Sequence, residues 1–442
     1  MANFSAKVKK FLKILGPGLI TGASDDDPSG IATYSQAGAK FGLSTLWTAM
    51  ITFPLMVSIQ EMCARIGLVT SVGLTATLKK HYPKTLVYFM MFLSLPAIIL
   101  NIGADIAGMG AVANLILPSV KPIFFSVAFT IILLIIIIYL PYHKIVSVLK
   151  YLCLSLFLYI VVPFFTHPDW AKVLRSFFIP TIKFDKDFLG ILVAILGTTI
   201  SPYLFFWQVT MEAEDVKSQK QLILAGRKLV KDNGSATGSH PYKRERNFLK
   251  LLVQKMQLDV NIGMLLSNIV MFFILLATGT ALAGAGIKQI DTVEQAAKAL
   301  EPVAGKASYF LFAIGVIGTG FIAIPVLSGS LSYIVSETFG WKGSLDKKYK
   351  QAKSFYLVIA IALILGLLLN YMGISPIQAL VLTAILYGLT SPVLVAIVLH
   401  IGNNKKIMGE FTNSRLSNVL GFTTMILMTV AAVALLYFQF AG

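Results

Sequence analysis

The chain has 442 residues, 56% of them hydrophobic and 13% charged, with a formal net charge of +17. No soluble core needs so much apolar sequence, so the chain falls in the membrane class. Its basic residues lie between apolar runs, a distribution that reads as membrane topology and argues against a nucleic-acid partner.

Runs of about 20 apolar residues read as membrane helices. They give eleven spans, near 14–38, 44–67, 85–115, 122–141, 145–165, 188–210, 258–281, 307–336, 354–371, 376–400 and 417–440. The third and eighth are long enough to tilt or kink. Basic residues 7–13 lead into acidic Asp25–Asp27 and not into an uninterrupted apolar region, so no cleavable signal peptide is expected. Cys63 and Cys153 both fall inside spans, which leaves no disulfide framework and no cysteine-rich metal site.

Two spans are interrupted. The first, GPGLITGASDDDPSGIATYSQAGAKFG at 16–42, holds Asp25, Asp26, Asp27, Pro28, Ser29 and Gly30 in its middle. An ionised carboxylate at membrane depth costs at least ~2.5–3.5 kcal/mol, and Pro28 removes a backbone donor. The sixth, FLGILVAILGTTISPYLFFWQVTME at 188–212, is broken by Thr198, Thr199, Ser201 and Pro202. Each begins a five-helix half, and paired broken helices point to a secondary transporter built from inverted repeats around a midplane site. The halves show no obvious residue-level identity, so the symmetry rests on placement. The expected divisions are 1–165 (helices 1 to 5), 166–211 (start of the second half), a connector at 212–257, 258–400 (helices 7 to 10) and 401–442 (helix 11).

Counting Lys and Arg places 28 on one side and nine on the other, which favours a cytoplasmic N-terminus and an extracellular C-terminus in a plasma membrane. Residues 212–257, polar and basic with KDNGSATGSHPYKRERN, read as a flexible cytoplasmic connector. Positive-inside bias already accounts for Lys243, Arg244 and Arg246 without a phosphoinositide or nucleic-acid role.

A helix broken at Asp27-Pro28-Ser29-Gly30 exposes carbonyls that, with the Asp27 carboxylate, make a ready cation site. The second break adds the carbonyls of Gly197 and Thr198 and the hydroxyls of Thr199 and Ser201. Such oxygens suit hard cations, and His81, His143, His167, His240 and His400 all lie in loops or at span ends. Met211 reads as packing. Asp105 reads equally as a proton relay or second cation ligand and as a buried, hydrogen-bonded aspartate. Asp259, Asn261 and Asn268 form a polar stripe with a mainly structural reading. Asp25 and Asp26 either face an outer vestibule or are solvated at the break. Tyr203, Phe205, Phe206 and Trp207 read as packing or lipid-facing aromatics, with Tyr203 in reach of the second break. No phosphate loop, HExxH or GxSxG is present, so no enzyme is expected.

The 16–42 stretch resembles the first helix of the natural resistance-associated macrophage protein (NRAMP) family of divalent-metal transporters, whose motif there reads DPGN. QEMCARIGLVTSVGL at 60–74 resembles the family's second-helix signature through Gln60, Ala64, Arg65 and Gly67. The likeness continues at Asp105, at LDVNIGMLLSN around Asp259 and Asn268, at 320–337 and at Ile407-Met408-Gly409, covering nearly the whole chain. It implies an all-α polytopic membrane protein with the leucine-transporter (APC superfamily) fold, a 5+5 inverted repeat with broken helices 1 and 6, and eleven transmembrane helices. It also implies Asp27 and the carbonyls of Ser24 and Thr198 as metal ligands.

The departures are informative. The motif asparagine is Gly30, the sixth-helix MPH is Ser201-Pro202-Tyr203, a second histidine is Gln208, the third-helix glutamate is Gly108 and the tenth-helix glutamine is Ala384. Losing the thioether removes the preference for soft metals, and losing an amide and a glutamine removes oxygen ligands. The expected substrate is therefore a hard divalent cation, magnesium or manganese before iron, retaining part of its water as magnesium does. This resembles the NRAMP-related magnesium transporters, which also lack the methionine. Gly30, Ser201 and Tyr203 would line the substrate site, and Asp105 and Gln208 a proton or ion pathway, with proton coupling weakened by the lost glutamate and histidines. The alternatives are a small anion or organic solute held at half-helix N-termini, and a sensor or membrane-embedded enzyme. No cofactor is expected beyond the transported cation; the expected partners are that cation and the bilayer.

Overall fold

The computed structural model describes residues 16–140, 158–232 and 241–440, with backbone alone for 219–232 and 241–247. Every regular element among them is helical. The principal helices are α1 Pro17–Asp25, α2 Pro28–Phe41, α3 Trp47–Thr70, α4 Leu74–His81, α5 Lys84–Ile116, α6 Pro122–Tyr139, α7 Leu158–Thr166 and α8 Trp170–Phe178. They continue with α9 Lys186–Thr199, α10 Pro202–Asp232, α11 Pro241–Gly284, α12 Ser308–Phe339, α13 Lys353–Leu369, α14 Pro376–Asn403 and α15 Arg415–Phe440.

Local chemistry sets the ends. Asp185 caps α9 by accepting the Phe188 N–H at 2.8 Å, and Ser375 caps α14 with Pro376 at its first position. Gly42 closes α2 at φ +56°, ψ −129°, a conformation that only glycine reaches easily. The chain then bends by 109° between 28–45 and 47–70.

Among the described residues, eight helical runs are long and apolar enough to cross a membrane, and they coincide with expected spans 3, 4 and 6 to 11. Expected spans 1 and 2 form helices but reach that standard only as a bent pair. The reason is chemical: the aspartates split span 1 into nine- and 14-residue helices, and α3 carries Gln60, Glu61 and Arg65. Span 5 lies largely outside the described residues, as do Cys153, His143 and His240. Residues 212–257, expected to be a flexible connector, are helical at both ends, because α10 runs to Asp232 and α11 starts at Pro241. Leu, Lys, Gln, Ala and Arg dominate these stretches and are good helix formers.

The broken helices sit at the centre. α1 and α2 both pack on α11, α9 packs on α14, and α5 packs on α12 and α14. Close approach is bought with glycine: a Cβ at Gly22 would collide with the Gly263 carbonyl, and one at Gly197 with the Ala384 carbonyl and Gly388 backbone. The periphery is the reverse. α15 exposes Leu416, Val419, Phe422, Ile426, Val430, Val433 and Tyr437, an outward apolar stripe suited to lipid.

Gly22→Val should force α1 off α11, at a cost on the order of 1–3 kcal/mol. The expected result is a lowered melting temperature or loss of the monodisperse peak in detergent, with Gly284→Ala, which meets nothing within 4 Å, as the neutral control. Equal melting temperatures for both variants would contradict this packing.

Candidate functional site

The two breaks share one cause. In a helix the carbonyl of residue i accepts from the N–H of residue i+4, and proline has none. Pro28 therefore strands the Ser24 carbonyl, and Pro202 strands the Thr198 carbonyl. Both are buried, where no bulk water can satisfy them.

Hydroxyls take the missing donor's place. The Tyr203 hydroxyl crosses from the second break to donate to the Ser24 carbonyl at 2.8 Å. Ser201 donates to the Thr198 carbonyl at 2.7 Å and to Gly197 at 3.1 Å. A carbonyl oxygen has two lone pairs, so each keeps a second acceptor position. The breaks also meet through Ser29 Oγ and Thr198 Oγ1, 3.4 Å apart.

Asp27 is extended at φ −69°, ψ 171° and caps α2. Its Oδ1 accepts the Gly30 N–H at 2.8 Å and the Ser29 hydroxyl at 2.6 Å. Its Oδ2 accepts from Asn101 Nδ2 on α5 at 3.0 Å, and the same nitrogen donates to Asp105 Oδ2 at 3.2 Å. Asp27, Asn101 and Asp105 are at most 1% exposed. Asp105 therefore belongs to the same cluster as Asp27, joined through one amide. A Cβ at Gly30 would lie 3.3 Å from both the Asp25 carbonyl and Thr198 Oγ1, so this position is built tightly around glycine.

Two expectations change, for Asp25 with Asp26 and for Thr199. Asp25 and Asp26 are neither solvated nor in a vestibule: both are buried, and the Ser267 hydroxyl on α11 donates to them at 2.7 and 3.2 Å. Gln208, expected on a proton or ion pathway, accepts from the Thr21 hydroxyl and donates to Glu212 Oε1 at 3.0 Å, forming a buried polar line toward the N-terminal end of α1. The Thr199 hydroxyl turns back onto the Ile195 carbonyl at 2.7 Å, leaving Ser201 and Thr198 as the donors at that break.

The polar stripe of α11 separates into distinct roles. Asp259 caps α1, its carboxylate accepting the N–H groups of Gly16 at 2.8 Å, Gly18 at 2.7 Å and Leu19 at 3.3 Å. Asn268 donates to Thr52 at 3.2 Å, and Asn261 is exposed. Phe205, Phe206 and Trp207 are buried packing residues. His81, His167 and His400 are exposed.

Charge is unbalanced at the centre. The salt bridges among the described residues, Lys40–Asp187 at 2.8 Å and Arg65–Glu61 at 3.5 Å, involve none of Asp25, Asp26, Asp27 and Asp105. Buried carboxylates without a basic partner are costly unless protons or a cation balance them.

The cluster is shut off from bulk solvent, with Asp27 1% exposed and Asp105 fully buried, below a cavity of about 640 Å³ that reaches Gln36, Lys40 and Ile290. On one side Gln36 accepts the Ile290 N–H at 2.9 Å beside the Lys40–Asp187 pair. Nearer the site, Pro28, Ile31, Val112, Phe312, Val316 and Leu380 surround a void of about 10 Å³. On the other, Glu337 holds the Ala76 N–H at 2.9 Å and Tyr333 donates to Glu214 at 3.2 Å.

A model of natural resistance-associated macrophage protein-like sequences matches residues 18–438. The chain belongs to the Nramp family. Among its relatives is the divalent metal cation transporter MntH of Caldanaerobacter subterraneus subsp. tengcongensis, 25% identical over 441 residues, covering 99% of this chain and 95% of that protein. The manganese transporter of Eremococcus coleocola superposes with a TM-score of 0.70 at 18% identity, over 97% of this chain and 87% of that one. Mhp1, a nucleobase-cation-symport-1 family transporter, superposes at 0.58 with 11% identity, over 96% and 92%. The Nramp-family chain thus has the leucine-transporter fold that its paired broken helices imply.

The sequence reading does not single out Asn101, Ser267 or Glu212. Asn101 carried a signal, lying one helical turn before Asp105.

Asp259→Asn should weaken the α1 cap by about 1–2 kcal/mol. The expected readouts are a lowered melting temperature and faster thiol labelling of Thr21→Cys in a background without Cys63 and Cys153. Unchanged labelling would show that Asp259 does not hold α1 in place.

Proposed function

We propose that this Nramp-family chain carries a divalent metal cation across the plasma membrane by alternating access, with the ion held between the two helix breaks. The observation that carries the reading is the pair of carbonyls stranded by Pro28 and Pro202, at two breaks joined by the Tyr203–Ser24 hydrogen bond and the Ser29–Thr198 contact, together with a buried Asp27 carboxylate that has no basic partner among the described residues. A cation would draw on the Ser24 and Thr198 carbonyls and the charge of Asp27, displacing the Tyr203 hydroxyl from Ser24 and replacing in one step what hydroxyls and protons supply without it. The names of the relatives agree with this class of substrate.

Hardness follows from the donors. The groups hydrogen-bonded to the Asp27 carboxylate are a hydroxyl, a backbone N–H and a side-chain amide, the stranded groups at the breaks are carbonyls, and sulfur and imidazole are absent from that set. Oxygen donors favour magnesium and manganese over softer ions, and a reduced set of protein ligands suits magnesium, which gives up its water reluctantly. The cytoplasmic N-terminus and extracellular C-terminus follow from the basic-residue asymmetry. The burial of Asp27 and Asp105 supports reading this conformation as one in which the site is occluded.

Calorimetry on purified wild type and Asp27→Ala, offering magnesium, manganese, iron and calcium separately, tests the reading alongside uptake into liposomes. The expected result is binding of magnesium or manganese that falls at least ~100-fold in Asp27→Ala, equivalent to about 2.7 kcal/mol, with uptake lost in parallel. Absence of divalent binding and uptake in the wild type would overturn it and turn attention to small anions and organic solutes.

Tyr203→Phe removes the hydroxyl that competes for the Ser24 carbonyl. Its hydrogen bond contributes about 0.5–1.5 kcal/mol to the metal-free form, so the variant should bind the ion ~2–10-fold more tightly while melting at a lower temperature. Weaker binding in Tyr203→Phe would remove Ser24 from the ligand set.

A further inference from the structure

We propose that Asn101 supplies the amide oxygen ligand that the chain lost when Gly30 replaced the family's motif asparagine. The assignment rests on the cation reading of Asp27 and adds to it a ligand from α5, an element that the broken-helix pattern does not implicate.

Three observations place the amide there. Asn101 Nδ2 lies 3.0 Å from Asp27 Oδ2 and 3.2 Å from Asp105 Oδ2, so the amide group touches both carboxylates. Asn101 is 0% exposed and its Oδ1 has no hydrogen-bond partner among the described residues, an expensive state for an amide oxygen in a membrane interior. At Gly30, the atoms 3.3 Å from a would-be Cβ are an oxygen of Asp25 and one of Thr198, so a side chain at that position would press on the second break. The amide has in effect moved from α2 to the facing helix.

The chemistry is a half-turn about one bond. An asparagine amide carries two donors on one edge and an acceptor on the other, and its terminal torsion is broad and nearly two-fold. Without a cation, the NH2 edge faces the carboxylates and bridges them. With a cation beside Asp27, the donor edge would be repelled and the Oδ1 edge attracted, so rotation by about 180° turns the bridge into a ligand. The same turn gives the unpartnered oxygen its partner.

The test uses the full-length purified protein and three variants, Asn101→Ala, Asn101→Cys and Asp27→Ala, with manganese and cadmium as probes. Asn101→Ala should bind manganese ~10-fold more weakly than wild type, a loss of about 1.4 kcal/mol. In Asn101→Cys, sulfur's longer bonds to carbon and to metal offset the shorter side chain, so the thiolate should reach the ion. That variant should gain cadmium affinity and a thiolate-to-cadmium charge-transfer absorption that disappears in the Asn101→Cys, Asp27→Ala double variant. A residue that merely orients Asp27 would lower affinity when removed but would not create this band.

Wild-type manganese affinity in Asn101→Ala would overturn the assignment while leaving the Asp27 reading standing. Cadmium bound in Asn101→Cys through Asp27 but without the absorption would do the same. If Asn101→Ala fails to fold, Asn101→Cys alone decides by the presence or absence of the band. Loss of Asp27-dependent binding already in the wild type would overturn both readings together.

Discussion

Two prolines in a place without water govern this structure. A backbone carbonyl in the membrane interior must find a donor, and Pro28 and Pro202 each deny one to the residue four positions before it. Tyr203 and Ser201 answer by donating hydroxyls to Ser24 and Thr198, and Asp27 answers at the other side of its break by capping α2. The Tyr203 bond can form only because the two broken helices lie face to face. That placement in turn needs α1 to touch the α11 backbone at Gly22 and Gly263, and α9 to touch α14 at Gly197 and Gly388.

The electrostatics follow from the same arrangement. Asp25, Asp26, Asp27 and Asp105 are buried, served by the hydroxyls of Ser267 and Ser29 and the amide of Asn101 and, among the described residues, not by lysine or arginine. Neutral donors orient carboxylates without cancelling their charge, which leaves that balance to a mobile cation or to protons. A permanent ion pair would block the site, whereas hydroxyl and amide donors can turn away when an ion arrives. On the proposed reading, binding and conformational change would be coupled, because the hydroxyl that an ion would displace from Ser24 belongs to the other broken helix.

Much of this was legible in the sequence, for identifiable reasons. The breaks announce themselves because aspartate and proline are so unfavourable in an apolar span, and Asp27 stands out as the residue before Pro28. The Thr198 carbonyl is read from the second break itself and Ser24 through resemblance, although the spacing to Pro28 and Pro202 marks both carbonyls directly and supplies the residue-level symmetry between the halves. Asp25 and Asp26 were misjudged because solvation was read from a local run of charge, while their burial comes from Ser267, about 240 residues away. Asn101 was passed over since a single amide in an apolar helix has many structural uses. Its partner Asp27 lies 74 residues distant, a contact that no local pattern encodes. The 212–257 stretch misled for the opposite reason, since its polarity suggested a loop while its helix-forming residues extend α10 and α11.

Anomalous diffraction from crystals grown with manganese tests the central claim most directly, because it locates the ion without assuming which residues hold it. The account predicts a strong peak between the two breaks, within coordinating distance of the Asp27 carboxylate and the Ser24 and Thr198 carbonyls, with Tyr203 turned away from Ser24. A difference map with no peak at the breaks, or with manganese confined to surface carboxylates, would contradict it.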